Sequence, residues 1–316
     1  MIKYHSLEPV IQVYIENLDL KRKSVHNYEL ILRRYLRYLK SHNIKYAKRS
    51  DLIHYRDSLW EDSLKSTSVQ LNIIVIRNFY KWARLYQKQY DLEEIYAIDI
   101  AEGIKGAKIE NAYRKEPLSF EQAQKLIEVA KAHQDTIVGA RNYAIVILML
   151  VTGLRTIEVC RAKYADISRM NNQSILYIQG KGKDGNDLFV KLPIQIVDAI
   201  NEYLQMRISK IKYLFTGYGK DNMDGPVSTD TVRHAIKKLF LEAGIDSPKQ
   251  TPHSLRHTCA YLNLQNGGTL ESTQQLLRHV NIETTLIYAH NINRMKDKSE
   301  DRIANVLFSE KEGESK

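Results

Sequence analysis

Cysteine is scarce in this chain of 316 residues, and long apolar runs are missing. The two cysteines, Cys160 and Cys259, stand alone rather than in Cys-x-x-Cys pairs. That excludes a disulfide framework and a cysteine-rich zinc site, and leaves two buried free thiols as the expectation. No hydrophobic stretch approaches the ~20 residues that span a bilayer. The opening MIKYHSLEPV lacks the charged-then-apolar layout of a secretory signal, so a soluble cytoplasmic protein with no membrane partner is expected. There is no internal repeat and no low-complexity tract. A Walker-type phosphate loop and a carboxylate cluster suited to Mg²⁺ are also missing, so neither a cofactor nor a metal is expected.

What the chain has in surplus is positive charge. It carries 47 Lys+Arg against 37 Asp+Glu, a formal net charge of +10, and its pI is near 9.3. Such a balance suits a polyanionic partner. Residues 1–50 hold 11 basic against 4 acidic side chains, so most of the excess lies in the first sixth of the chain. A hydrophobic fraction of 43% is ample for two buried cores.

Apolar residues from Leu7 to Leu18 recur at helical spacing, which predicts an amphipathic helix over Ser6–Leu18. Ser24 is a candidate N-cap for a second helix, with Val25, Tyr28, Leu32, Tyr35, Leu36 and Leu39 as its core stripe. Arg33, Arg34, Arg37 and Lys40 then fall towards the polar side. That face reads either as a solvated charged surface or as one that meets phosphates. Ser50 can cap a short helix over Asp51–Trp60, and Ser66 or Thr67 can start a long one carrying Arg77 and Lys81 as further candidate phosphate contacts. The aromatic rings of these helices keep the spacing of the aliphatic residues, so they read as core rather than as a base-stacking platform.

Periodicity fades between Ile100 and Pro117, as in a linker. A second domain starts near Leu118 with Ser119 and Gln122 in a capping pattern, followed by a buried helix around Tyr143–Val151 and another over Thr156–Ala162. The clear β signal is a hairpin, Ser174–Gln179 and Leu188–Leu192, around the turn Gly180-Lys181-Gly182-Lys183-Asp184-Gly185-Asn186. Further helices are expected over Ile194–Ile208, Ser228–Ala243, Ser254–Gln265, Leu270–Leu277 and Ile282–His290.

Three segments concentrate cations, imidazoles and a tyrosine: TGLRTIEV (152–159), PHSLRH (252–257) and LRHVNIETTLIYAH (277–290). Two arginines can donate paired hydrogen bonds to the non-bridging oxygens of a phosphodiester and stabilise the charge that grows there. Residues three apart on a helix share a face, so His253 and Arg256 can address one phosphate beside the helix start at Pro252. A tyrosine hydroxyl, with a pKa near ~10, needs a base and a positive field to act as a nucleophile. Taken singly, each residue has a plainer reading: a surface arginine, a hairpin-turn lysine, one packing tyrosine among 20. His253 and His257, four apart, would suit zinc, but the glutamate of His-Glu-x-x-His is missing and no third ligand is evident.

Together with the GKGK hairpin, these segments resemble the tyrosine recombinase, or phage integrase, family. The resemblance covers the whole chain in architecture and is residue-specific in roughly the last two-thirds. It implies six catalytic residues: Arg155, the hairpin Lys181, His253, Arg256, His279 and the nucleophile Tyr288. Their spacings of 3 (253 to 256), 23 (256 to 279) and 9 (279 to 288) look like the family's own. In that reading His253 accepts the phenol proton, Lys181 is the general acid with Lys183 as its rival, and His279 hydrogen-bonds the phosphate. Glu158 orients Arg155 rather than reacting. Arg278 departs from the family pattern, standing where many members have glycine, and is expected, like Lys183, to contact DNA.

The fold implied is mainly α with a small β-sheet. It comprises a helical-bundle, SAM-like DNA-binding domain over 1–101, a linker over 102–117, a mixed α/β catalytic domain over 118–290 and a tail over 291–316. The two domains would clamp a double-stranded recombination site. Ile303, Val306, Leu307 and Phe308 give the tail a small apolar face that should dock somewhere; the resemblance implies that it docks on a neighbouring protomer within a DNA-bound homotetramer, or a heterotetramer with a related recombinase. Compact Xer-type resolution and mobile-element integration both fit. A DNA-binding regulator of the same fold and a type IB topoisomerase-like enzyme are the rival readings.

Overall fold

A computed structural model of the chain describes residues 7–108, 116–179, 188–207, 211–218, 225–278 and 297–308. They fall into two units, 1–112 and 113–316.

The first unit is built on α1 (Leu7–Glu16), α2 (Arg22–Ser41), α3 (Arg49–Glu61) and α4 (Ser66–Tyr86). Each turns one apolar stripe inward, and Leu32, Leu52, Leu59, Ile76 and Phe79 are fully buried in a common core. Each such side chain contributes roughly 1.5–3 kcal/mol over an exposed one. The tyrosines belong to this core: the Tyr35 and Tyr80 hydroxyls meet at 3.1 Å, and the Tyr55 hydroxyl donates to Asn72 Oδ1 at 3.2 Å. The helix starts differ from expectation. Ser24 and Ser50 do not cap; the extended residues before the helices are Lys21 and Lys48. At α3 the cap comes from inside the first turn, where the Asp51 carboxylate accepts the Lys48 N–H at 2.7 Å. The start of α4 at Ser66 is as expected. Of the stretch expected to link the two domains, Ile104 and Ala107 are buried in this first core; Leu118, expected to open the second domain, is buried in the second core.

The second unit opens with α5 (Phe120–Ala132), where Ser119 Oγ accepts the Gln122 N–H at 3.1 Å and Gln122 Oε1 accepts the Ser119 N–H at 3.0 Å. The anticipated capping box is present. Next comes α6 (Ile137–Thr152), longer than anticipated because Thr136 caps it at Gly139. Hydrophobic nearly all round, α6 is the central helix of the unit and packs against α5, α8 (Ile194–Met206) and α10 (Pro252–Gln265). Among the described helices none is long and apolar enough to cross a membrane. The remaining helices are α7 (Thr156–Arg161), α9 (Thr229–Glu242), α11 (Leu270–Leu277) and α12 (Ser299–Phe308). The sheet has three antiparallel strands in the order β1 (Ile167–Met170), β2 (Gln173–Ile178), β3 (Leu188–Lys191), with Leu176 paired to both Ile167 and Val190. Strand β1 was not anticipated. Three of its four residues are exposed, so it carries no hydrophobic alternation and is held by its ladder to β2. The helix expected over Ile282–His290 and the hairpin tip lie outside the described residues.

Candidate functional site

The site grows from the turn between α6 and α7. Gly153 ends α6 in the left-handed region, at φ 61° and ψ 26°. A Cβ there would sit 2.5 Å from Leu277 Cδ2, so the turn is pressed against the end of α11. Arg155 follows in extended conformation as the first cap of α7, and Glu158 stands three residues on. The Glu158 carboxylate, 1% exposed, accepts the Arg155 backbone N–H at 2.8 Å through one oxygen and Arg155 Nη1 at 2.8 Å through the other. One acid therefore caps the helix, which was not anticipated, and fixes the arginine, as expected. The Arg155 side chain stays 28% exposed.

Helix α10 supplies the next two residues. Pro252 opens it, and Ser254 Oγ accepts the Thr251 N–H at 3.0 Å. His253 is exposed, with its ring edge-on to His257 at a centroid distance of 4.8 Å. Arg256 turns the other way. Only 2% exposed, it donates through Nη1 to the Gly153 carbonyl and through Nη2 to the Leu277 carbonyl. The i,i+3 spacing thus does not put His253 and Arg256 at the same depth. Burial, reinforced by the charges of Arg155 and Arg278, pushes Arg256 down to about 9, which leaves it cationic at neutral pH.

Arg278 requires a correction. Expected as a DNA contact, its side chain is only 6% exposed and points into the protein. Nη1 donates to the carbonyls of Leu276 at 2.6 Å and Thr152 at 3.2 Å, and Nη2 to Gly153 O and Glu158 Oε2, both at 3.4 Å. Four internal acceptors hold the two terminal nitrogens of this guanidinium, while Nε is buried without a partner. Sequence reasoning missed this role; the only available signal was an arginine in a glycine position.

Arg155, Arg256 and Arg278 thus gather around one acid, Glu158, with a surplus of two positive charges. Nearby, Cys259 is buried with Sγ against the Val151 carbonyl at 3.3 Å, and burial pushes its thiol up to about 12; burial likewise pushes Cys160 up to about 11. Both are free thiols. Among the described residues no three His, Cys, Asp or Glu side chains are grouped to hold a metal. Lys181, Lys183, His279 and Tyr288 lie outside the described residues.

In the first unit Arg33, Arg34, Arg37 and Lys40 are all exposed on α2. Two of them are engaged: Arg33 Nη2 with Glu29 at 2.8 Å and Lys40 with Glu8 at 2.8 Å. On α4, Arg77 and Lys81 are exposed and line a depression of about 350 Å³ with Arg84, whose Nη1 meets Glu102 at 3.4 Å.

Residues 116–294 match the phage integrase family, and residues 11–87 match the phage integrase N-terminal SAM-like domain. Tyrosine recombinase XerA of Pyrococcus furiosus is 31% identical over 238 residues, 75% of this chain and 74% of its own. XerA of Thermococcus onnurineus is 28% identical over 286 residues, 90% of this chain and 91% of its own. In fold, the chain is similar to XerH site-specific recombinase bound to a palindromic difH substrate, with a TM-score of 0.72 and 21% identity over 90% of this chain and 80% of that one. A family match across more than half the chain, on the unit that holds the arginine cluster, settles the classification: the chain belongs to the phage integrase family and is a tyrosine-type site-specific DNA recombinase.

Proposed function

We propose that Arg155, Lys181, His253, Arg256, His279 and Tyr288 are its catalytic residues, and that they act on one backbone phosphate of double-stranded DNA. The Tyr288 hydroxyl attacks phosphorus, the bond to the 5′-oxygen breaks, and a 3′-phosphotyrosine and a free 5′-hydroxyl result. His253 takes the phenol proton and Lys181 delivers one to the leaving oxygen, with Lys183 the alternative donor. His279 hydrogen-bonds the phosphate. Attack by a partner strand's 5′-hydroxyl reverses the chemistry, and the bond energy kept in the phosphotyrosine makes ATP unnecessary.

The observation that carries this reading is the arginine pair. Arg155 is held by a buried carboxylate while part of its side chain stays open to solvent. Arg256 is buried close by, and its pKa is lowered by that burial first and by the charge of Arg155 second. Two guanidiniums kept together against their repulsion form a site preorganised for an anion that gains charge in its transition state. Arg155 meets the phosphate first; Arg256 supplies field from below and reaches a phosphate oxygen by exchanging one carbonyl for it.

Affinity comes from phosphate contacts, with Arg34, Arg37, Arg77, Lys81 and Lys183 as contributors and Arg33 and Lys40 partly neutralised by their acidic partners. The working form is a tetramer on DNA, of this chain alone or with a related recombinase, acting in the cytoplasm on element integration and excision or on Xer-type resolution. The face of α12 supports assembly: Ile303, Val306, Leu307 and Phe308 are 60–81% exposed.

The deciding experiment incubates the protein with sheared, randomly nicked host chromosomal DNA, quenches with detergent and sequences the DNA left attached. A covalent species that maps to a discrete sequence and disappears in Tyr288→Phe is the expected result. No adduct, or one that survives in Tyr288→Phe, would overturn the reading; binding without an adduct would identify a regulator.

A further inference from the structure

We infer that Arg278 is a positioning residue for the arginine pair, an inference that rests on the recombinase reading above. Its backbone is the first sign. Outside glycine, positive φ among the described residues falls on Asn43, Ser63, Asp91, Asn171, Asn172 and Arg278. Five of these have short polar side chains that tolerate the left-handed region or bond locally to their own backbone. Arg278, at φ 54° and ψ 42°, has neither excuse. A strained backbone persists where its surroundings over-determine it, and here the side chain shows what does so.

Arg278 shares an acceptor with each member of the pair. Glu158 Oε2 takes the Arg155 backbone N–H at 2.8 Å and Arg278 Nη2 at 3.4 Å. The Gly153 carbonyl takes Arg256 Nη1 and, at 3.4 Å, Arg278 Nη2. Its second terminal nitrogen, Nη1, reaches back to Thr152 O and Leu276 O, so one planar fork spans the end of α6 and the end of α11. Glycine here would satisfy the backbone and remove the fork, while Glu158 Oε2 kept the Arg155 N–H and the Gly153 carbonyl kept Arg256 Nη1.

Two consequences follow for the chemistry. The carboxylate is pulled from both sides and cannot rotate away from Arg155. It also faces two cations rather than one, so it orients Arg155 without cancelling the site's positive field; with Arg278 gone, the surplus falls from two charges to one.

Arg278→Gly separates positioning from folding, because glycine is the residue best suited to this backbone. On the DNA site mapped by the adduct experiment, Arg278→Gly is expected to keep its melting temperature and to hold its Kd within about twofold, while the single-turnover cleavage rate at saturating protein falls by about 10- to 100-fold. Arg278→Lys, which keeps charge but not the fork, is expected to fall between the two. A second readout is independent of activity: the Arg155 Nε–H resonance, assigned by its loss in Arg155→Lys, should shift and exchange faster with water in Arg278→Gly. If the wild type forms no adduct, the recombinase reading fails, and this resonance still decides whether Arg278 holds Arg155. Cleavage at the wild-type rate with an unmoved resonance would overturn the inference. So would a loss confined to Kd, with a shallower salt dependence, since that marks a phosphate contact. A melting temperature that drops in Arg278→Gly and accounts for the whole rate loss marks a merely structural role and overturns it too.

Discussion

Arg256 donates a hydrogen bond to the carbonyl of Gly153, two residues before Arg155, and so ties helix α10 to the turn that presents the other arginine of the pair. The residues are 103 apart in the chain. Arg256 is therefore placed partly by the turn that leads into Arg155, and damage to the turn is felt at both arginines.

Gly153→Ala tests the turn. The new Cβ meets Leu277 Cδ2 at 2.5 Å and forces a non-glycine residue into the left-handed region. The expected cost is about 1–3 kcal/mol of stability, read as a lower melting temperature, together with weaker single-turnover cleavage. An unchanged melting temperature would mean that Leu277 and the turn yield freely to the added methyl.

Glu158→Gln keeps the shape and removes the charge. One amide oxygen can still cap Arg155 N–H, but the acid that compensates Arg155 and Arg278 is gone from a site 1% exposed. Loss of one partner of a buried pair costs about 3 kcal/mol, and misorientation of Arg155 should slow cleavage by about 10- to 100-fold. Chemical denaturation and suicide-substrate kinetics check the two effects separately; a variant as active as the wild type would remove Glu158 from the site's design.

Alkaline pH should destabilise the protein through its thiols. Cys160 and Cys259 have folded pKa values raised by burial, to about 11 and about 12, above the ordinary thiol value. From the ordinary thiol value of about 8.5 up to its own raised value, each thiol is deprotonated in the unfolded chain and protonated in the folded one. The stabilising contribution is thus complete below about pH 8.5 and is lost as pH rises through 11 and 12. The measurement is melting temperature against pH, which should fall less steeply in Cys259→Ala. Below pH 9 neither thiol should react with a maleimide until the chain is unfolded.

Salt dependence distinguishes the candidate DNA cations. Replacing Arg77 and Lys81 together by glutamine should lower the slope of log K against log salt by about one unit for each phosphate they neutralise in the wild type. Replacing Arg33 and Lys40 should change it less, because each is already paired with an acid. A slope unchanged from the wild type when Arg77 and Lys81 are replaced would remove α4 from the interface.

Val306→Asp with Phe308→Asp tests the face of α12. Both side chains are exposed in the single chain, so its melting temperature should not move. Higher-order protein–DNA complexes in native gels should weaken while binding of one protomer persists. Unchanged assembly would mean that this face meets no second copy.

Much of the site was legible because its logic is local. A Glu three residues after an arginine at a helix start is a pattern of two side chains on one turn, and the structure pairs Glu158 with Arg155 as the sequence implied. The helical stripes of α1 to α4 and the Ser119–Gln122 capping box are local in the same sense. Strand β1 was not legible, since its pairing with β2 rests on backbone hydrogen bonds and three of its four residues are exposed.

What the sequence alone determined is the list of chemical groups and the helices that carry them, because periodicity, caps and motif spacing act over a few residues. What only the tertiary structure decided is depth and partnership: that Arg256 lies buried while His253 stays exposed, and that Arg278 turns inward to Glu158 across a separation of 120 residues. The physical reason is that a long cationic side chain can satisfy its donors in water or on any carbonyl within reach. Which it does depends on whether packing brings the end of α11 against the turn at Gly153, and no local pattern in either segment records that the other is there.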